Sequence, residues 1–329
     1  MVGWEITREC NLACPHCFSA ATRKSFPEFS INECFEIIDQ LSALKLSAIG
    51  WTGGEPLLRK DLDDIITYAR KKKIKSSITT NGILLDEKRA RSLKRAGVVA
   101  MQISVDGSTA ERNAIMRRAT PEDFRKIMEA IRICRKLDFE LSMAMLIGQE
   151  NLDDAPEFIK WAKREGVESV RFCGFTPWGR GKADKVKARL AFTNRLGDLH
   201  DFVASAVRKR KPMAFFDPGF GPLPPKYDYH ECVAGQEWFY LTSMGDVYPC
   251  TALLDRRFRV GNIHERSISD LWNDPRMTEM SRYPKDRIQG FCPECKHFEI
   301  CHGACRGASY MHTGDLNASF PVCLSRAES

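Results

Sequence analysis

The chain has no run of about 18 uncharged apolar residues, so its sequence holds no candidate for a membrane-spanning helix. Its first ten residues, MVGWEITREC, contain no apolar signal segment and lead straight into a group of cysteines. Export is therefore not expected, and a cytoplasmic setting is. There is no long internal repeat and no low-complexity segment, which argues against solenoids and disordered tails. Neither sign of charge dominates: 50 Lys and Arg stand against 43 Asp and Glu, for a net charge of +7. The two basic runs, 70–73 with Lys75 and 208–211, have no aromatic residues interleaved for base stacking. Each closes a helical pattern, where cations offset the helix dipole. Neither nucleic acid nor membrane is expected as a partner.

What is present in quantity is cysteine. Thirteen cysteines, odd in number and clustered, occur in 329 residues. In a cytosolic chain they read as metal ligands rather than disulfides. The length suits one large domain plus a smaller one, and 43% hydrophobic residues suffice for a sizeable core. Cys10, Cys14 and Cys17 form a Cys-x3-Cys-x2-Cys in the run CNLACPHC. Three thiolates in one short loop suit a cubane [4Fe–4S] cluster and leave its fourth iron without a protein ligand. A structural zinc site would close with four ligands. An open iron is a place where a small molecule can bind and receive an electron.

Apolar, β-rich runs alternate with helical patterns. Strands are expected at 3–7, 48–52, 75–80, 98–105, 140–146 and 169–175. Helices are expected at 31–44, after the N-cap Ser30 with Glu33 three residues on, and at 62–73, 86–96, 121–136 and 155–165. Six β–α repeats imply parallel strands with right-handed crossovers, hence an α/β fold, a partial (β/α)6 barrel. Chemistry in such barrels sits at the C-terminal ends of the strands. The cysteine loop, Gly53-Gly54-Glu55-Pro56, Thr80-Asn81-Gly82, Ser104 with Asp106-Gly107, and the segment 176–181 all fall there. The expected division is a barrel over 1–210, a Pro- and Gly-rich linker over 211–231, and a smaller cysteine-rich domain over 232–329.

Cys10, Cys14 and Cys17 together with the GGEP motif resemble a radical S-adenosylmethionine (SAM) enzyme. Alone, GGEP would read as a tight turn before a helix. The resemblance implies a [4Fe–4S] cluster on the three cysteines, with SAM chelating the fourth iron. It implies reductive cleavage of SAM to methionine and a 5′-deoxyadenosyl radical that abstracts a substrate hydrogen. It further implies that Gly53, Gly54 and Glu55 meet SAM, that Ser104 matches the polar position ending strand four, and that Arg117 reaches the SAM carboxylate, with Arg118 an equal candidate. His16 stands where that family usually has an aromatic residue.

Cys232, Cys250, Cys292, Cys295, Cys301, Cys305 and Cys323 resemble in their spacing the SPASM domain, which holds two auxiliary iron–sulfur clusters. The resemblance places Cys232, Cys250 and Cys305 on the first and Cys292, Cys295, Cys301 and Cys323 on the second. Seven cysteines leave one ligand missing for two cubanes. The first auxiliary cluster is expected to have an open iron, a non-cysteine ligand such as His230, or a [2Fe–2S] composition. The rival is one zinc on 292–305, which leaves Cys232, Cys250 and Cys323 unexplained. Cys34 and Cys134 read as core thiols, and Cys173 as a packing residue at the end of strand six. His297 and His302 read as exposed. Within SPASM proteins the likeness points to peptide or cofactor maturation, with tetrapyrrole side-chain decarboxylation as the alternative. A non-enzymatic iron–sulfur electron carrier is the alternative of another class, and it explains neither GGEP nor a barrel. The chain opens on strand one, so no N-terminal peptide-binding domain is expected, and the partners are a peptide or small-molecule substrate, a separate carrier protein for a peptide, and a reductant such as ferredoxin or flavodoxin. Arg180 and Lys182 are candidates for a substrate carboxylate, and read equally well as ordinary loop charges.

Overall fold

A computed structural model describes residues 1–24, 26–192, 194–207, 212–217, 220–224 and 232–328. The basic run 208–211 and His230 lie outside the described residues. The strands are β1 (Val2–Glu5), β2 (Ala48–Thr52), β3 (Lys75–Thr80), β4 (Val98–Ser104), β5 (Glu140–Ile147), β6 (Ser169–Gly174), β7 (Met213–Phe216), β8 (Phe239–Leu241), β9 (Asp246–Tyr248) and β10 (Gly261–Asn262). The helices of the first part are α1 (Ile31–Ala43), α2 (Leu62–Lys71), α3 (Glu87–Ala96), α4 (Ala110–Arg117), α5 (Pro121–Lys136), α6 (Ala155–Arg164), α7 (Asp184–Leu190) and α8 (Leu196–Ala206). The later ones are short: α9 (Ile268–Trp272), α10 (Phe298–Cys301) and α11 (Arg306–Thr313).

Local chemistry sets the helix starts. Ser30 Oγ accepts from Glu33 N at 3.3 Å while the Glu33 carboxylate accepts from Ser30 N at 2.7 Å, the expected capping box of α1. Thr120 and Asp123 repeat it on α5, with Pro121 in the first turn. Apolar residues on alternate strand positions face the helices: Val2, Trp4, Ile49, Trp51, Ile78, Met101, Ile103, Met143, Met145, Val170 and Phe172 are all buried. Trp4 and Trp51 meet at 5.3 Å between ring centroids, and Phe172 packs on Phe158 of α6 and Phe202 of α8. Each such ring is worth about 1.5–3 kcal/mol of burial.

One ten-stranded sheet runs β10-β9-β8-β1-β2-β3-β4-β5-β6-β7. Strands β1 to β7 are parallel neighbours, and β8 pairs parallel with β1, Gly3 opposite Tyr240. Among the described residues the two ends of this order are not joined, so the barrel is partial. The segment 211–231, expected to be a linker, contributes β7. Its Met-Ala-Phe-Phe run has β propensity and pairs with β6, Arg171 opposite Phe215. The Pro- and Gly-rich composition that suggested a linker belongs to the residues on either side. The cysteine-rich part is likewise joined to the barrel, because β8 to β10 continue its sheet.

Candidate functional site

Cys10, Cys14 and Cys17 lie on a loop whose ends are tied together. Cys10 N donates to Thr22 O at 2.8 Å, and Glu9 bridges Thr22. The loop after β2 grips this stem: Gly54 N donates to Thr7 O and Glu55 N to Glu9 O, both at 2.7 Å. A Cβ on Gly53 would overlap the Thr7 carbonyl, and one on Gly54 the Glu9 carbonyl. The two glycines, expected to meet SAM, are thus required by the stem of the cysteine loop itself. Gly54→Ala is expected to pry the stem open, lowering the iron held after anaerobic reconstitution by roughly four atoms per chain, one cubane. Full iron in that variant, by metal analysis, would show the contact to be dispensable.

Glu55 has an internal job as well. Its buried carboxylate accepts from Thr80 Oγ1 at 2.6 Å, Asn81 N at 2.8 Å and Leu57 N at 3.0 Å. Burial raises its pKa, and these hydrogen bonds oppose that rise. The side chain locks the β2 and β3 loops together and presents no free carboxylate. Asn81 Nδ2 then donates to Asn11 Oδ1 beside Cys10 at 2.7 Å.

The opposite side of the cysteine loop is held from β6. Arg180 N donates to Cys17 O at 3.0 Å, and its Nε to Cys14 O at 2.8 Å. A side chain on Gly179, at φ +52°, would overlap the Phe18 and Cys17 carbonyls. Arg180 therefore fixes the loop backbone. Lys182 Nζ lies 3.4 Å from the Trp178 ring centroid, a cation–π contact that uses its charge.

Under the loop is a charged hub around Asp106, which the sequence places only at the end of strand four. Asp106 is fully buried just beyond β4. One carboxylate oxygen, Oδ1, accepts from Leu146 N at 2.7 Å; the other, Oδ2, lies 2.8 Å from Arg117 Nε and 3.3 Å from His16 Nε2. Burial pushes the His16 pKa down to about 4, so its imidazole is neutral. Arg117 also acts electrostatically on Cys10 and Cys14. Arg118 is exposed and in the left-handed region as the cap of α4. Ser104 is half-buried two residues before Asp106. The motif SVDG was the signal available for Asp106.

The cysteines interact in three groups. Cys10 feels Cys14 and Cys17. Cys250 feels Cys232, and Cys305 feels both. Cys301 feels Cys292 and Cys295, and Cys323 feels Cys301 and Cys292. Among the described residues, no three His, Cys, Asp or Glu side chains converge tightly enough to enclose one metal ion. Burial raises the thiol pKa to about 12 at Cys10 and Cys305 and about 11 at Cys14 and Cys323. Yet backbone N–H groups aim at sulfur: Leu12 at Cys10 (3.4 Å), Ala252 at Cys250 (3.5 Å), His297 at Cys295 (3.5 Å) and Ala308 at Cys305 (3.4 Å). Donors aimed at sulfurs that burial would otherwise keep protonated suit metal-bound thiolates. Cys34 and Cys134 are core thiols as expected. Cys173 is half-buried beside Asp217 and Arg171. A cavity of about 790 Å³ opens at the other end of the barrel, between Lys75, Val99, Arg135 and Glu140; none of the cysteine groups lines it.

A barrel of this topology with an open cysteine triad at its mouth defines a class. The family model of the radical SAM superfamily matches residues 4–162, which form a radical SAM domain. The model of the SPASM iron–sulfur cluster-binding domain matches residues 232–296. The chain is thus a radical SAM/SPASM enzyme, with iron–sulfur clusters and SAM as its cofactors. It is 29% identical to the mycofactocin maturase MftC of Mycolicibacterium smegmatis, over 98% of this chain and 81% of that one. It is 28% identical to the AdoMet-dependent heme synthase of Methanosarcina barkeri, over 99% of this chain and 96% of that one. Its fold matches that of Streptococcus suis SuiB, crystallised with S-adenosylmethionine, at a TM-score of 0.75 with 17% identity, covering 98% of this chain and 76% of that one. SuiB has also been crystallised with its precursor peptide SuiA. Among the described residues no helix is long and apolar enough to cross a membrane.

Proposed function

We propose that Cys10, Cys14 and Cys17 hold the SAM-binding [4Fe–4S] cluster, that Cys232, Cys250 and Cys305 hold the first auxiliary cluster, and that Cys292, Cys295, Cys301 and Cys323 hold the second. What supports this reading is the match of the radical SAM model over residues 4–162 and of the SPASM model over residues 232–296, together with the backbone N–H groups aimed at the sulfurs of Cys10, Cys250, Cys295 and Cys305. In this reading the barrel, which runs through β7 at Met213–Phe216, is catalytic, and residues 232–329 form the auxiliary-cluster part. When bound, the clusters and SAM supply reductive cleavage of SAM and hydrogen abstraction from the substrate. Gly53, Gly54 and Glu55 shape the loop that meets SAM, with Ser104 and Arg117 as the polar groups nearest it. Arg117, held by Asp106, keeps a positive charge beside the cysteine triad. Arg180 fixes the triad's backbone from one side, and Asn81 holds the Asn11 side chain on the other.

The substrate we favour is a peptide, processed in the cytoplasm with a ferredoxin- or flavodoxin-like reductant and a separate carrier protein. Likeness to a maturase along nearly the whole chain supports this. A tetrapyrrole substrate is the second reading, favoured by equally complete likeness to a heme synthase. Anaerobic reconstitution should load roughly 10–12 iron atoms per chain, the range reflecting two to four in the first auxiliary site. Iron near four per chain, or stoichiometric zinc, would refute the three-cluster assignment.

A further inference from the structure

The residues of β6 that face away from the helices look into the barrel. Val170 and Phe172 are fully buried on the helix side, so Arg171 and Cys173 point the other way. Arg171 nevertheless keeps 50% of its side chain exposed, which marks an open, wet space. Its Nε donates to Asp217 Oδ1 at 2.7 Å. Its two terminal nitrogens have no partner among the described residues. The other arginines at this mouth are committed, Arg117 to Asp106 and Arg180 to the Cys14 and Ala21 carbonyls.

Register fixes what lies beside it. Ser104 pairs with Ala144, Ala144 with Arg171, and Arg171 with Phe215. These four side chains share one row across β4 to β7. Phe215 is 49% exposed, a bare aromatic surface next to the guanidinium. Ala144 is too small to fill the space between Arg171 and Ser104. Two strand spacings, roughly 10 Å, separate those ends of the row.

We propose that Arg171 anchors a carboxylate of the substrate through its two terminal nitrogens, while Phe215 takes an adjoining apolar or aromatic part and the body extends along the row toward Ser104. Asp217 orients the guanidinium and fixes which edge is offered. A planar guanidinium with two free N–H groups matches a carboxylate bidentately. Peptide C-termini and tetrapyrrole propionates share this chemistry, and the assignment rests on the reading of the barrel as the catalytic site.

The test compares acids with their neutral derivatives on the reconstituted enzyme. One arm titrates haem against haem dimethyl ester by absorbance. The other follows, by anisotropy, a fluorescein-labelled random hexapeptide pool with free C-termini against the same pool amidated. In at least one arm the acid should bind about tenfold or more tighter than its neutral partner. That ratio should fall to near one in Arg171→Leu, recover in part in Arg171→Lys, and rise in Asp217→Asn, where a competing carboxylate is gone. The arm that shows the ratio identifies the source of the carboxylate. Iron content and circular dichroism identify a misfolded variant, in which case the Lys and Asn variants decide. No acid preference in either arm, or a preference unchanged in Arg171→Leu, would overturn the anchor. SAM cleavage by the wild-type enzyme without substrate is scored separately, so failure of the catalytic reading is distinguishable from failure of the anchor.

Discussion

Replacing Cys10, Cys14 and Cys17 together with alanine is expected to abolish the release of methionine and 5′-deoxyadenosine from SAM by the reduced protein. Iron should drop by roughly four atoms per chain while the auxiliary iron stays. The expectation follows from how the loop is built. Its stem and flanks are tied down by backbone and side-chain hydrogen bonds from the β2, β3 and β6 loops, none of which uses a cysteine sulfur. Alanine at the three positions should therefore remove the ligands and leave the barrel standing. Circular dichroism reports the barrel, and product chromatography reports cleavage. Undiminished cleavage in the triple variant would move the SAM site to another group of cysteines.

Asp106→Asn should cost the fold about 3–5 kcal/mol, the usual penalty for stranding one member of a buried ion pair. The substitution keeps the shape of the side chain and an oxygen that can accept from Leu146 N. What it removes is the charge facing Arg117, whose side chain is only 12% exposed. His16 loses its carboxylate partner at the same time. Anaerobic urea unfolding should show the midpoint falling, and N-terminal cluster content should fall with it. A loss below about 1 kcal/mol would mean that the pair behaves as though it were on the surface.

The strand and helix pattern was largely legible because each segment carries its own period. Thr120 and Asp123 show the helix start, and alternation at Ile49 and Trp51 shows which strand face is buried. Helices α4, α7 and α8 were not foreseen. Ala110–Arg117 is dominated by charged and polar residues, with Asn113 and Met116 its buried positions, too few for a readable stripe. Strand β7 was hidden by Pro212 before it and the run of prolines and glycines after it. At the site, sequence named the right loops and misjudged what several side chains do there. Arg180 and Glu55 look like free charges in a linear reading. Only three-dimensional proximity shows that one is committed to the carbonyl of Cys14 and the other to Thr80 and Asn81. Asp106 could be seen as a motif member, but its pairing with His16, ninety residues earlier in the chain, could not. Arg171 carried no motif at all; its position follows from strand register.

The pairing of β8 with β1 leaves this chain without a natural seam. β1 is the strand from which the first cysteine loop departs, and the residues that cover its outer edge, 239–241, come from far down the sequence. Glu5 on β1 reaches across the same boundary to Ser243 Oγ at 2.9 Å. Cutting away everything after 231 would not trim an appendage. It would bare the hydrogen-bonding edge of a strand that carries Val2 and Trp4, a surface ready to recruit another copy and precipitate. Transplanting the barrel alone, or swapping the cysteine-rich half between relatives, would first require a replacement for that three-residue strand.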